Sequence, residues 1–224
     1  MNSRFLYLTV GLLIGLAIGF AGANALNRRG MAVGTANNPL ANPNTAPQPN
    51  QPQGGMQADV AATLERAENN PEDFVAQMKA GDMYAQIGRF DKAAEFYKRG
   101  VSLEPQNPAA NLVLANALFD ARDFVSAAEY YSKVLEIDPS NLNARTDLGT
   151  TFVERQQPDF ERAIVEYEKV LQQDPKNEPA LYYLAIANLR KGNRPEAERI
   201  LTKLLEISPT GELASRLKRN LDQK

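Results

Sequence analysis

Apolar and small residues recur through most of this chain with a helical step and at a fixed long period. Ala93, Tyr97 and Gly100 are spaced by four and three, which puts them on one face of a helix. The same face returns as Ala127, Tyr131 and Val134, then as Ala163, Tyr167 and Val170, then as Ala197, Leu201 and Leu204. Each set stands at a constant distance before a proline, and Pro105, Pro139, Pro175 and Pro209 follow at intervals of 34, 36 and 34 residues. A second helical face precedes each set, marked by Gly81 and Tyr84, Ala115 and Leu118, Gly149 and Phe152, and Ala185 and Asn188. Small residues at those points let two helices approach closely. Between the two faces lie Gly88-Arg89-Phe90, Arg122-Asp123-Phe124, Gln157-Pro158-Asp159-Phe160 and Gly192-Asn193-Arg194, each a helix-breaking turn. The longer third interval places its two extra residues in such a turn. An all-α chain of antiparallel helix pairs, stacked as a solenoid, is predicted. Its function belongs on a binding surface rather than in a catalytic pocket.

The two ends of the repeats need covering. Val60, Ala61, Leu64 and Ala67 have helical spacing and precede Asn70-Pro71, so residues 57–73 are expected to form the second helix of a partial repeat. Leu213, Leu217 and Leu221 put one apolar stripe on a helix whose back carries Arg and Lys, as a cap over residues 212–224 requires. Ahead of all this the pattern changes. After a tail of residues 1–4, residues 5–27 hold no charge and are long enough to span a bilayer, so a retained anchor is expected in preference to a cleaved signal peptide. Gly11, Gly15 and Gly19 would share one face of that helix, a spacing that favours self-association in lipid. Residues 28–56, rich in Pro, Asn and Gln, cannot bury enough apolar surface to fold and are expected to be a disordered tether.

Charge and composition narrow the chemistry. Three of the 25 basic residues (Arg4, Arg28 and Arg29) precede Asp59, whereas all 27 acidic residues lie from Asp59 onward, leaving the repeats five charges negative. Such a surface repels phosphate backbones, and no nucleic-acid partner is expected. Cysteine and histidine are absent, which removes thiol chemistry, most zinc sites and histidine acid–base work. No phosphate-binding glycine loop or nucleophile–base pair is visible either. No cofactor, metal or enzymatic activity is expected.

The order Gly81, Tyr84, Gly88, Phe90, Ala93, Tyr97 and Pro105 resembles the tetratricopeptide repeat (TPR), and it recurs four times in phase over residues 58–210. The fourth copy departs most, with Asn188 and Leu201 where the pattern has aromatic residues. The resemblance implies a right-handed TPR solenoid with repeats at 74–107, 108–141, 142–177 and 178–211. It also implies a concave groove lined by the first helix of each pair. The matching positions are Met78 and Asp82 in the first repeat and Leu112, Asn116, Phe119 and Asp120 in the second. Thr146 and Thr150 match in the third, and Tyr182, Ile186 and Arg190 in the fourth. Family members that clamp a terminal carboxylate use Lys, Asn and Arg where this chain has Met78, Asp82, Thr146 and Thr150. A protein or peptide with an apolar, neutral-to-basic segment is therefore the expected partner.

An anchor, tether and four repeats also resemble the TPR subunits of bacterial cytochrome c maturation systems, which present apocytochrome to the haem-attachment machinery. The implied function is a membrane-tethered adaptor or scaffold. The alternative is an envelope-assembly protein that self-associates into a homo-oligomer through the solenoid and the glycine stripe. A single-pass cell-membrane protein with its repeats on the extracytoplasmic side is expected, because an uncharged tether crosses a membrane easily.

Overall fold

The computed structural model describes residues 53–223, with side chains from residue 60. The expected anchor, its glycine stripe and the tether as far as residue 52 lie outside the described residues. Ten helices follow one another with no strand among the described residues: α1 (Gln53–Asn69), α2 (Phe74–Gln86), α3 (Phe90–Leu103), α4 (Pro108–Asp120), α5 (Phe124–Ile137), α6 (Leu142–Glu154), α7 (Phe160–Gln173), α8 (Glu178–Lys191), α9 (Arg194–Ile207) and α10 (Glu212–Asp222). Helix α1 starts four residues ahead of Gln57 and takes Gly54 and Gly55 into its first turn, whose N–H groups need no partner inside the helix.

One device at each proline sets where the next helix begins. The N–H of Asp73, Asn107, Asn141 and Asn177, two residues beyond the proline, donates to the carbonyl of the residue before it. The side chains of these four residues then accept from the N–H of Ala76, Ala110, Ala144 and Ala180, capping α2, α4, α6 and α8. Inside the pairs, the turns of the first, second and fourth repeats hold one residue at positive φ, namely Gly88, Arg122 and Gly192. The third repeat instead connects α6 to α7 through residues 155–159, where the other pairs need two or three residues. A backbone bond from Asp159 N–H to the Phe152 carbonyl closes that longer loop.

Successive helices pack on one another throughout, and α10 packs on both α8 and α9. The first helices of neighbouring repeats also touch, α6 with α8 and α8 with α10, so they form the inner layer of the stack. Tyrosines from the second helices key the layers together. A Cβ placed on Gly149 would lie 2.6 Å from Tyr167 Cε1, and one placed on Gly81 would strike the Tyr97 ring. The largest apolar cluster runs from Ala115 to Leu221 and draws on α4 through α10. By contrast, α1 is held by a small cluster of Ala67, Ala76, Ala80 and Phe96. Among the described residues no helix is long and apolar enough to cross a membrane.

Candidate functional site: the inner face of the first helices

The inner face is built by residues three and four apart along α2, α4, α6 and α8. Its most regular feature comes from the second helices. Tyr97 Oη donates to Asp82 Oδ1 at 2.6 Å, and Tyr131 Oη donates to Asn116 Oδ1 at 2.7 Å. In the third repeat Thr150 Oγ1 donates to the Thr146 carbonyl, so Tyr167 Oη, 3.1 Å away, is the donor to Thr150. The fourth repeat places apolar Ile186 and Leu201 at the same two positions, both packed against the core, and has no such hydrogen bond. Sequence spacing puts the tyrosines in the core. It carries no sign that each ring is long enough to deliver its hydroxyl to the far side of the inner helix.

These contacts sort the expected groove residues. Phe119, Thr146 and Tyr182 are 7%, 6% and 5% exposed, so they are packing residues. Phe119 meets Phe124 edge to face, with ring centroids 5.2 Å apart. Tyr182 lies under the Arg216 guanidinium of α10 and receives a long hydrogen bond from Asn220 Nδ2. Met78 is half-buried against Gly100, where an added Cβ would lie 2.6 Å from its sulfur. Asp82 and Arg190 are exposed, while Leu112, Asn116, Asp120, Thr150 and Ile186 are half-buried. Arg190 donates to Glu154 Oε1 at 2.6 Å, tying the fourth repeat to the third. Asn116 spends its carbonyl oxygen on Tyr131, which leaves its amide NH2 facing the groove with no partner among the described residues.

A residue outside the expected set shapes the face most strongly. Asp147 sits one position past Thr146 on α6, and no hydrogen bond or ion pair reaches its carboxylate among the described residues. Its exposure is intermediate, so a narrow opening to solvent remains. Protein atoms nevertheless crowd the group, and desolvation, followed by the charge of Asp120, pushes its pKa up to about 7. Burial raises the Tyr131 and Tyr183 hydroxyls, and the charge of Asp147 adds to both shifts. Tyr167, wholly buried, is raised by burial first, and Asp147 contributes there as well. Asp147 therefore acts electrostatically on Tyr131 of α5, Tyr167 of α7 and Tyr183 of α8, and is itself acted on by Asp120 of α4. An aspartate in a helix reads as a solvated surface residue from sequence, so pattern alone passes it over.

Three further polar residues act in structure rather than on the groove. Gln77 donates to the Ala67 and Asn70 carbonyls, Asn111 to those of Pro105 and Asn107, and Arg145 to that of Pro139. They occupy one repeat position and satisfy the carbonyls that each proline turn leaves open. Arg145 also pairs with Glu166 at 3.0 Å in a mostly buried setting. Among the described residues no group of three or more acidic side chains could hold a metal ion.

Comparison with known proteins agrees with this geometry. Models of the tetratricopeptide repeat match residues 81–121, 108–141 and 154–221. The chain belongs to the tetratricopeptide repeat family. Among solved structures, a crystal structure of MamA is 23% identical with a TM-score of 0.60, covering 75% of this chain and 93% of that one. MamA from Desulfovibrio magneticus RS-1, residue 41 to the end, is 20% identical with a TM-score of 0.62, covering 71% and 89%. At that identity the likeness establishes the fold alone. No curated protein matches the chain.

Proposed function

We propose that this protein is a membrane-tethered adaptor that holds a protein or peptide segment along the inner face of its repeats, near a membrane complex. The observation that carries the reading is the composition of that face. Half-buried Leu112 and Ile186 offer apolar seats, the amide of Asn116 offers a donor for a peptide carbonyl, and Asp82, Asp120 and Asp147 disfavour an acidic ligand. An apolar, neutral-to-basic segment fits those groups. The uncharged run of residues 5–27 supports tethering, and the Pro-, Asn- and Gln-rich composition that follows it suits a tether that lets the repeats reach away from the bilayer. The extracytoplasmic side remains the proposed location. The architectural resemblance to cytochrome c maturation subunits puts apocytochrome segments among the clients to try first.

The competing reading, assembly through self-association, draws less support from the ends of the stack. On α10 the residues turned away from the core include Ser215, Lys218, Arg219 and Asp222, all exposed. A polar terminus of this kind does not invite another copy to continue the solenoid.

A photoreactive residue at Leu112, compared with one at exposed Glu129 on α5, tests the adaptor reading. Crosslinks to one defined partner from Leu112 and none from Glu129 are expected. Equal labelling from both positions, or products joining only copies of this chain, would count against it. Extraction of membranes at alkaline pH tests the tether: the full chain should stay with the lipid, and residues 53–224 should not.

A further inference from the structure

The inner face does not offer the same group in every repeat. Asp82, Asn116, Thr150 and Ile186 hold one repeat position, each directly after a small residue (Gly81, Ala115, Gly149 or Ala185). Buried tyrosines reach the first three from the second helices, at 2.6, 2.7 and 3.1 Å. What each position has left for a ligand follows from its donors and acceptors. Asp82 gives Oδ1 to Tyr97 and, being exposed, keeps Oδ2 as an acceptor. Lys79, three residues earlier on α2, makes no ion pair with it among the described residues. Asn116 gives its carbonyl oxygen to Tyr131, so its NH2 group is left as a donor. Thr150 spends its proton on the Thr146 carbonyl and accepts from Tyr167, which leaves it no donor. Ile186 offers aliphatic surface alone. It stands beside Thr150, because Arg190 and Glu154, each four residues further along their helices, pair at 2.6 Å. From the first repeat to the fourth the face runs from anionic acceptor through neutral donor to apolar side chain.

We propose that the inner face takes its segment in one register: a hydrogen-bond-donating side chain against Asp82, a main-chain carbonyl against the Asn116 amide, and an apolar side chain against Ile186. This rests on the adaptor reading and adds to it the order of groups along the partner. Charge agrees, because the repeats carry five excess negative charges and the donor end of the segment is then neutral or cationic. Tyr131 is a positioning residue in this scheme. It is buried out of reach of a ligand, and its hydroxyl decides which end of the Asn116 amide faces the groove. Tyr97 holds Asp82 in the same way. Both groups are therefore set before a ligand arrives and need little ordering by it.

A random dodecapeptide library displayed on phage, selected against the full chain, tests the register. Selected peptides are then synthesised with both ends blocked and measured by titration calorimetry. A donor side chain towards one end and an apolar one towards the other are expected. With a photoreactive aliphatic residue at the apolar position, the label should map to α8 and not to α2. Replacing the donor by norleucine should weaken binding by about fivefold or more. Asp82→Asn keeps an oxygen for Tyr97 but turns an NH2 outward, so it should cause the same loss, and the two changes together should cost little more than either. Tyr131→Phe should weaken binding about as much as Asn116→Ala, again by about fivefold, and the double variant should be little worse. A merely structural Tyr131 would lower the melting temperature and leave affinity unchanged, which overturns its positioning role. Peptides with no shared order, an apolar end that labels α2, or affinities indifferent to Asp82→Asn overturn the register while leaving groove binding intact. A library in which no peptide loses affinity to Leu112→Glu overturns the adaptor reading as well.

Discussion

At the scale of single residues, two positions depart from what their neighbours need. Arg122 occupies the positive-φ turn position that glycine fills in the first and fourth repeats, with φ of 65°. A side chain there costs about 1 kcal/mol or somewhat more, and the guanidinium regains part of this by lying 5.7 Å from the centroid of the Phe124 ring. Arg122→Gly is expected to stabilise the protein by up to about 1 kcal/mol in urea unfolding, and a loss of stability would mean the ring contact dominates. Asp147 departs more strongly. Its pKa rises from 3.8 in the unfolded chain to about 7, so the fold favours the neutral acid. That contribution is complete below the unfolded value and is lost as pH climbs through 7. Asp147→Asn should therefore melt at a higher temperature than the parent at about pH 8, and the two should converge near pH 4. Each tenfold change in proton affinity is worth about 1.4 kcal/mol, and with a discount for the opening to solvent the gain is on the order of 2 kcal/mol. Equal melting at both pH values would show that Asp147 is well solvated.

At the scale of elements, every helix is placed by devices at its ends and by the layer it enters. The residue two beyond Pro71, Pro105, Pro139 and Pro175 caps the next helix. After the first three of these prolines a polar residue four positions further on closes the carbonyls of the turn just passed, a position held by Leu181 after Pro175. The turn at Pro209 departs from the scheme. Gly211 leads into α10 without a side-chain cap, so this short helix depends on packing. Ala214, Leu217 and Leu221 are buried by that packing, and Arg194 donates back to the Leu221 carbonyl at 2.7 Å. Removing residues 212–224 would uncover the α8 and α9 faces beneath them, exposing Tyr182 and Leu204. The truncated chain is expected to lose several °C in thermal unfolding and to bind a hydrophobic dye. Unchanged melting would show that α10 is not a cap.

At the scale of the whole molecule, stability should be graded along the stack, because each repeat rests only on its neighbours. The core spanning α4 to α10 is the most extensive, whereas α1 is held by four buried residues, three of them alanines. Amide hydrogen exchange followed by mass spectrometry should label α1 first and α6 through α8 last. Uniform protection would indicate one cooperative unit instead. Much of this architecture is legible in the order of residues. The repeated Ala93, Tyr97 and Gly100 face and the proline period define helix pairs, their phase and their turns, because burial imposes a local period on any helix that must pack. The groove is legible only in part. Phe119, Thr146 and Tyr182 share the helical register of exposed Asp82, and register says which way a side chain points but not whether a neighbouring helix covers it. The sequence by itself determined an all-helical repeat without thiol or histidine chemistry, through residue types and spacings within one helix. Only the tertiary structure decided that tyrosine hydroxyls cross to the inner face, that Arg190 pairs with Glu154, and that burial raises the Asp147 carboxyl. Those outcomes depend on distances between helices, within a repeat for the tyrosines and between repeats for Arg190, and such distances are set by packing rather than by order along the chain.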